Sequence, residues 1–259
     1  MTDRAEFLES ALLRNAGFRH AFFTRNGGVS TGAYASLSFS VAAGDSAANV
    51  EQNLERAGAA LGVAGARIHF LSQVHGAVTH VLEADAATQQ QRDTIQLEGD
   101  ALISSAPQLA CAVRSADCVP VLLADRRTGA VAAAHAGWRG AVAGIVSSAV
   151  RALRRLAPDA DLIAAIGPHI SPAAFEVSAD VAEAILAASR DPAIVDRSRA
   201  KPHVDLRRML RAELREQGLA DAAIDDVWGC TVSDPARFFS FRRDGKASGR
   251  HLSAIVPQL

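Results

Sequence analysis

The sequence predicts a mixed α/β fold, organised as a single multi-stranded-sheet domain over residues 1–259. Three observations predict it: short apolar runs of strand length recur along the chain, amphipathic helical patterns lie between some of them, and the reactive side chains gather where strands enter Gly-rich turns. Strands are expected at Phe18–Thr24, Ile68–Ser72, Val78–Leu82, Ala110–Val113, Val119–Ala124, Ala130–Ala134 and Leu162–Ile166, several bounded by Gly, Pro or Asp. The clearest helix is expected from Trp138 to Leu156. There Val142, Ile145, Val146, Ala149, Val150, Leu153 and Leu156 repeat at three- and four-residue steps. Arg151, Arg154 and Arg155 cluster near its carboxyl end, where the helix dipole favours positive charge, and Pro158 stops it. Weaker helical patterns cover Ala47–Leu61, Ala179–Ser189 and Leu206–Gln217. The polar stretch Ala84–Glu98 reads as a long loop within one domain.

Composition narrows the function classes. With 259 residues, 49% hydrophobic and 21% charged, the chain is long and apolar enough to bury a substantial core. Lys+Arg 27 against Asp+Glu 28 leaves a net charge of −1, which provides no basic field for nucleic acid or a membrane surface. A bilayer span needs about 20 apolar residues, whereas the run Ala141–Val150 is bounded by Arg139 and Arg151. The amino-terminal segment carries Asp3, Glu6 and Glu9 in place of a secretory pattern, so a cytoplasmic protein is expected. Three cysteines, Cys111, Cys118 and Cys230, do not make a disulfide scaffold.

Three segments concentrate reactive groups: Gln73-Val74-His75-Gly76, Ala116-Asp117-Cys118-Val119-Pro120 and Ala134-His135-Ala136-Gly137-Trp138-Arg139-Gly140. His75, Cys118 and His135 form an N₂S donor set suited to zinc, and catalytic zinc takes three protein ligands with a fourth position open. No C-x-x-C or H-x-x-x-H pairing is present, so a metal held here is catalytic and not a structural staple. The same residues also read as a buried small hydrophobe at Cys118 and as hydrogen-bonded turn histidines at His75 and His135. Cys111 reads as a core residue and Cys230 as a turn residue. Two anion-holding arrangements stand beside the metal set. One is the amino end of the helix following His135, and the other is the strand ending Thr24-Arg25-Asn26-Gly27-Gly28. Neither G-x-G-x-x-G nor G-x-x-x-x-G-K-[ST] occurs. Near the carboxyl end, Arg237–Gly245 and Arg250 form a basic, aromatic segment that reads either as a contact for an anionic or planar ligand or as a solvated strand and turn.

Together these motifs resemble one family, the YfiH-like purine nucleoside phosphorylases, also labelled laccase-domain or multicopper polyphenol oxidase proteins. The resemblance is carried by FFTRNGGVSTGAYASLSFS (22–40), LSQVHG (71–76), GDALIS (99–104), SADCVPVLLAD (115–125), AAHAGWRG (133–140), AIGPHISPAAFEV (165–177) and FFSFRRDGKASGR (238–250). It implies a fold of the YfiH/CNF-like type and zinc ligands at His75, Cys118 and His135; separately, Cu2+ bound adventitiously at such an N₂S site is expected to give weak oxidase activity in vitro. It further implies phosphorolysis of adenosine, inosine, guanosine and methylthioadenosine, with adenosine deamination at the same site. Arg25 or Arg139 is expected to hold phosphate, and Gln73 and Asp117 to orient the ligands. The expected partners are purine nucleosides and phosphate, not nucleic acid or membrane, and the protein is expected to be a monomer or homodimer. His169 stands where the family commonly has Cys, Phe175 where it has Tyr, and Lys246-Ala247-Ser248-Gly249 departs from a Thr-Gly-Arg ending.

The multicopper reading is disfavoured, because a laccase relay needs about ten histidines in paired motifs and this chain has 8 scattered ones. The main alternative is a metal-free hydrolase in which Cys118 and His135 act as nucleophile and base. It follows from the resemblance, since relatives are implicated in removing a misincorporated Ser from a peptidoglycan precursor. A non-catalytic binding module is a third reading.

Overall fold

The computed structural model describes residues 4–82, 95–189 and 191–258. Residues 84–94 of the loop expected at Ala84–Glu98 lie outside the described residues. In chain order the strands are β1 (Phe7–Leu8), β2 (His20–Phe23), β3 (Ile68–His69), β4 (Thr79–Leu82), β5 (Ala101–Ser104), β6 (Ala110–Ser115) and β7 (Val119–Asp125). They continue with β8 (Val131–Ala136), β9 (Leu162–Ile166), β10 (Val195–Asp196), β11 (His203–Val204), β12 (Ile224–Asp226) and β13 (His251–Ile255). The helices are α1 (Ala11–Asn15), α2 (Ala47–Leu61), α3 (Trp138–Val142), α4 (Ile145–Leu156), α5 (Ala179–Ala188), α6 (Leu206–Glu216) and α7 (Phe241–Asp244).

The α/β class expected from the sequence holds, with the strands divided between two principal sheets. One has the order β1-β2-β13-β6-β3 and the other β12-β9-β7-β8-β5-β4, while β10 and β11 pair as a separate ribbon. The division follows from side-chain alternation, since successive strand residues face opposite sides. Leu102, Leu122, Ala133 and Ile163 of the six-stranded sheet pack against Phe22, Cys111, Val113 and Ile255 of the five-stranded sheet. Their neighbours Ile103, Val121, Leu123, Ala132 and Ala164 face the other way, onto α3, α4, α5 and α6. On the far side of the five-stranded sheet, Ala21, Phe23, Ala112, Leu252 and Ala254 pack on Val50, Leu54, Ala57 and Leu61 of α2. The result is four layers, helix–sheet–sheet–helices. With both faces of each sheet covered, the central strands read as uninterrupted apolar runs.

The single helix expected over Trp138–Leu156 is two helices. Gly144 adopts φ +78° between α3 and α4, a left-handed conformation that glycine enters without the Cβ clash of other residues. The break lets α4 place Ile145, Val146, Ala149, Val150 and Leu153 on the sheet independently of the turn that follows β8.

Candidate active site

Strand registers bring together residues far apart in sequence. β7 and β8 are antiparallel with Val119 opposite Ala136 and Pro120 opposite His135, so Cys118, just before β7, emerges beside the end of β8. β5 pairs with β8 on its other side with Ala101 opposite Ala134, which sets Asp100 against His135. The His135 amide donates to the Asp100 carbonyl at 2.7 Å. The segment carrying His75 leaves β3, crosses beside residue 98 through a Ser72–Glu98 bridge, and returns at Val78, whose carbonyl accepts the Asp100 amide at 2.9 Å.

One donor atom from each of His75, Cys118 and His135 lies within 4.8 Å of the others. The His75 and His135 rings meet edge to face with centroids 4.9 Å apart. His135 is buried, Cys118 half-buried and His75 exposed, which leaves the group open on one side. The residues fit a metal ion on two observations. Asp100 Oδ1 accepts from His135 Nδ1 at 2.8 Å, so Nδ1 keeps its proton and Nε2 is the nitrogen that would coordinate, giving up its own proton to do so. Gly137 also leaves space that no other residue would: a Cβ there would stand 2.7 Å from His75 Cδ2 and 3.0 Å from Cys118 Sγ.

Asp100 is the residue that the sequence reading did not single out as functional. Fully buried, its carboxylate also accepts the amides of Val74 (3.2 Å), His75 (3.0 Å) and Gly76 (2.7 Å). This turn holds His75 at φ +61°, and Asp117, next to Cys118, stands at φ +98°. Such backbone costs of order 1–3 kcal/mol per residue and persists only where its surroundings impose it. Burial raises the Asp100 pKa, but the bonds from His135 and the backbone amides overcome it and hold the carboxyl below its ordinary value. Burial likewise pushes the Cys118 thiol up, and the adjacent His135 and His75 more than reverse this, bringing it down to about 6. For His135, burial favours the neutral ring, while the Cys118 sulfur and Asp100 raise it to about 9.

The group forms one wall of a cavity of about 650 Å³, within the size range of small-molecule sites. Gln73 and Asp117 line it as well. Their polar atoms are committed to the protein. Gln73 Nε2 donates to the Arg114 carbonyl (2.7 Å) and Oε1 accepts the Arg114 amide (2.8 Å). Asp117 accepts Thr231 Oγ1 and the Arg242 amide, each at 2.6 Å. Through these bonds they brace the cavity walls, and the side chain that contacts a ring of the donor group is Asp100.

The structure places Arg25 and Arg139 away from the cavity lining. Arg25 lies over the Phe239 ring and donates to the carbonyls of Ala35 (2.9 Å) and Pro235 (3.1 Å). Arg139 is exposed and stacks on Trp138. The anion-holding helix end expected after His135 belongs to α3, which has 5 residues. The cations that do line the cavity are Arg114, Arg242, Lys246 and Arg250, of which Arg242 and Arg250 belong to the basic carboxyl-terminal segment. Phe241 and Phe175 add aromatic surface. Cys111 is fully buried in β6, its thiol pushed well up by burial, and Cys230, expected in a turn, is half-buried at an isolated bridge to His169, just before the turn. No disulfide joins the three cysteines.

An α/β protein with a mixed His–Cys donor group beside a ligand-sized cavity is the class that this geometry defines. The family described as multi-copper polyphenol oxidoreductase laccase matches residues 19–258, and the chain belongs to that family. It is 37% identical over 241 residues to a purine nucleoside phosphorylase of Mycobacterium tuberculosis, covering 92% of this chain and 91% of that one. It is 36% identical over 245 residues to the purine nucleoside phosphorylase YfiH of Shigella flexneri, covering 90% of each. The crystal structure of YlmD from Geobacillus stearothermophilus superposes with a TM-score of 0.88 at 28% identity, covering 98% of this chain and 100% of that one. Among the described residues, His75, Cys118 and His135 form the single group of three or more donors close enough to share an ion. A multicopper relay needs several such groups. Among the described residues, no helix is long and apolar enough to cross a membrane.

Proposed function

We propose that this chain is a zinc-dependent purine nucleoside phosphorylase acting on adenosine, inosine, guanosine and methylthioadenosine, with adenosine deaminase activity at the same site. The observation that carries the reading is the convergence of His75, Cys118 and His135 on the wall of a cavity of about 650 Å³. The likeness to purine nucleoside phosphorylases of Mycobacterium and Shigella supports it.

His75, Cys118 and His135 would hold the ion. When bound, zinc supplies Lewis acidity at its open coordination position. Asp100 keeps the proton on His135 Nδ1 and locks the ring plane, so that Nε2 faces the other donors. The three amides held by Asp100 set the turn that projects His75. Phe175 and Phe241 offer flat apolar surface for a purine, and the cavity's basic side chains favour an anionic co-substrate. In phosphorolysis a phosphate oxygen bonds to the sugar C1′ as the C1′–N bond breaks. The electron pair leaves on the purine, and the proton of hydrogenphosphate ends there.

A cysteine-hydrolase reading, with a peptidoglycan precursor as substrate, draws on the same pair, because the lowered Cys118 thiol and raised His135 ring describe a thiolate–imidazolium couple. Incubating purified protein with adenosine, with and without phosphate, separates the readings. Phosphate-dependent adenine supports phosphorolysis, and phosphate-independent inosine supports deamination. Loss of either product in His75→Ala assigns it to the donor group. Failure to turn over adenosine in either condition sinks the purine reading. Inactivation by thiol alkylation but not by chelators then favours the hydrolase.

A further inference from the structure

Arg114 and Arg250 stand on neighbouring strands of the five-stranded sheet and face the same cavity. β13 runs antiparallel to β6 with Leu252 opposite Arg114, and Arg250 precedes Leu252 by two residues. Continuing that alternation places the two side chains as diagonal neighbours on one face. Like charges in this relation repel, and both guanidinium groups are partly withdrawn from water. Burial, reinforced by the charge of Arg250, depresses Arg114 to about 10.

The charges of Cys118 and Asp117 favour the charged form of Arg250 from a distance, but no carboxylate among the described residues pairs directly with either arginine. Among the described residues none lies within ion-pair distance of Arg114, Arg250 or Lys246, whereas Arg126 and Arg127 at the surface are paired with Asp161 and Asp159. Asp117 is the one carboxylate of the lining, and both its oxygens are already hydrogen-bonded. The protein instead anchors one nitrogen of each arginine on backbone carbonyls. Arg114 Nη2 donates to Leu71 (3.3 Å) with the guanidinium face on Phe70, and Arg250 Nη1 donates to Ser248 (2.6 Å) and Gly249 (3.0 Å). Their remaining N–H donors have no acceptor among the described residues. Two oriented guanidinium groups with free donors, beside the metal-ligand group, match the forked recognition of a tetrahedral oxyanion.

We propose that Arg114 and Arg250 form the subsite that holds inorganic phosphate beside the His75–Cys118–His135 group, with Lys246 adding charge at its exposed rim. The assignment rests on the phosphorylase reading for the phosphate's role as co-substrate. Held there, the anion relieves the repulsion between the two arginines, and its binding energy positions one oxygen toward the sugar.

The test compares the wild type with Arg114→Gln, Arg250→Gln and Arg250→Lys, by phosphate KM in adenosine phosphorolysis and by calorimetric titration with inorganic phosphate alone. Each Gln variant is expected to raise the phosphate KM and weaken calorimetric binding by about 10- to 100-fold, the worth of one hydrogen bond to a charged group. The adenosine KM is expected to move much less, and Arg250→Lys to recover part of the loss. Phosphate KM and binding unchanged in both Gln variants overturn the subsite while leaving phosphorolysis standing. Phosphate binding that the variants lose, in a wild type that cleaves no nucleoside, keeps the subsite and removes the phosphorylase reading. A wild type with neither turnover nor phosphate binding overturns both. Arg114 also braces Leu71 and Phe70, so if Arg114→Gln does not fold, as judged by circular dichroism, the two Arg250 variants decide the matter.

Discussion

Asp100 Oδ1 lies 2.8 Å from His135 Nδ1, with both side chains buried, and the same carboxylate gathers the three amides that shape the His75 turn. One side chain thus sets the tautomer of one candidate ligand and the backbone of another. Asp100→Asn preserves the shape but removes the charge, and zinc affinity is expected to fall by about 10- to 100-fold. Asp100→Ala additionally strands buried donors, and a loss of about 3 kcal/mol or more in stability is expected. Competition with a chromophoric chelator reads the first and urea unfolding the second; wild-type affinity in Asp100→Asn would refute the positioning role.

Gly137 tests the cradle without touching a ligand. In Gly137→Ala the new methyl group meets His75 Cδ2 and Cys118 Sγ at 2.7 and 3.0 Å. The donors must part, and zinc affinity is expected to fall by about tenfold or more while far-UV circular dichroism is retained. Full metal stoichiometry and unchanged affinity in this variant would show that the three side chains do not share an ion.

Metal removal is expected to change thiol chemistry selectively. In protein stripped by a chelator, iodoacetamide should modify Cys118 and Cys230, both half-buried, and spare fully buried Cys111. Added zinc should protect Cys118 alone, because the thiolate that coordinates is the one that alkylates. Peptide mass spectrometry distinguishes the sites, and equal modification of Cys118 with and without zinc would count against coordination.

Acid lability is expected from His251. Burial lowers its pKa to about 4, and its Nε2 accepts the Phe239 amide at 2.8 Å, a role that only an unprotonated nitrogen can fill. Because the unfolded chain titrates near 6.5, it binds a proton that the folded chain refuses between pH 6.5 and 4. The stability contribution is complete above 6.5 and is lost as pH falls toward 4, by about 3 kcal/mol at most. His20 and His169, also lowered chiefly by burial, act in the same direction. Urea midpoints at pH 7 and 4.5 should differ less in His251→Gln than in the wild type; an equal difference in both would locate the acid sensitivity elsewhere.

Much of this architecture is legible in the chain itself. The runs at Val119–Ala124 and Leu162–Ile166 announce strands, and the periodicity across Trp138–Leu156 announces helix with one buried stripe, though not its break at Gly144. The strand ends flanking His75, Cys118 and His135 also mark the site, because reactive side chains beside Gly-rich turns stay accessible while a sheet fixes the backbone.

What the sequence determined by itself was therefore local: element types, the apolar faces, and the identity of the three candidate ligands within recognisable motifs. Tertiary structure alone decided which distant residues meet. Asp100 is 35 residues from His135 and 25 from His75, and only the β5–β8 register and the loop past residue 98 give it both neighbours. Arg25 and Arg250 look equally suited to an anion in one dimension. Packing turns Arg25 onto Phe239 and two carbonyls, while the β6–β13 pairing turns Arg250 toward the cavity beside Arg114. The break at Gly144 and the division into two sheets are decisions of the same kind. Periodicity records which face of an element is apolar, and only long-range packing decides what that face is buried against.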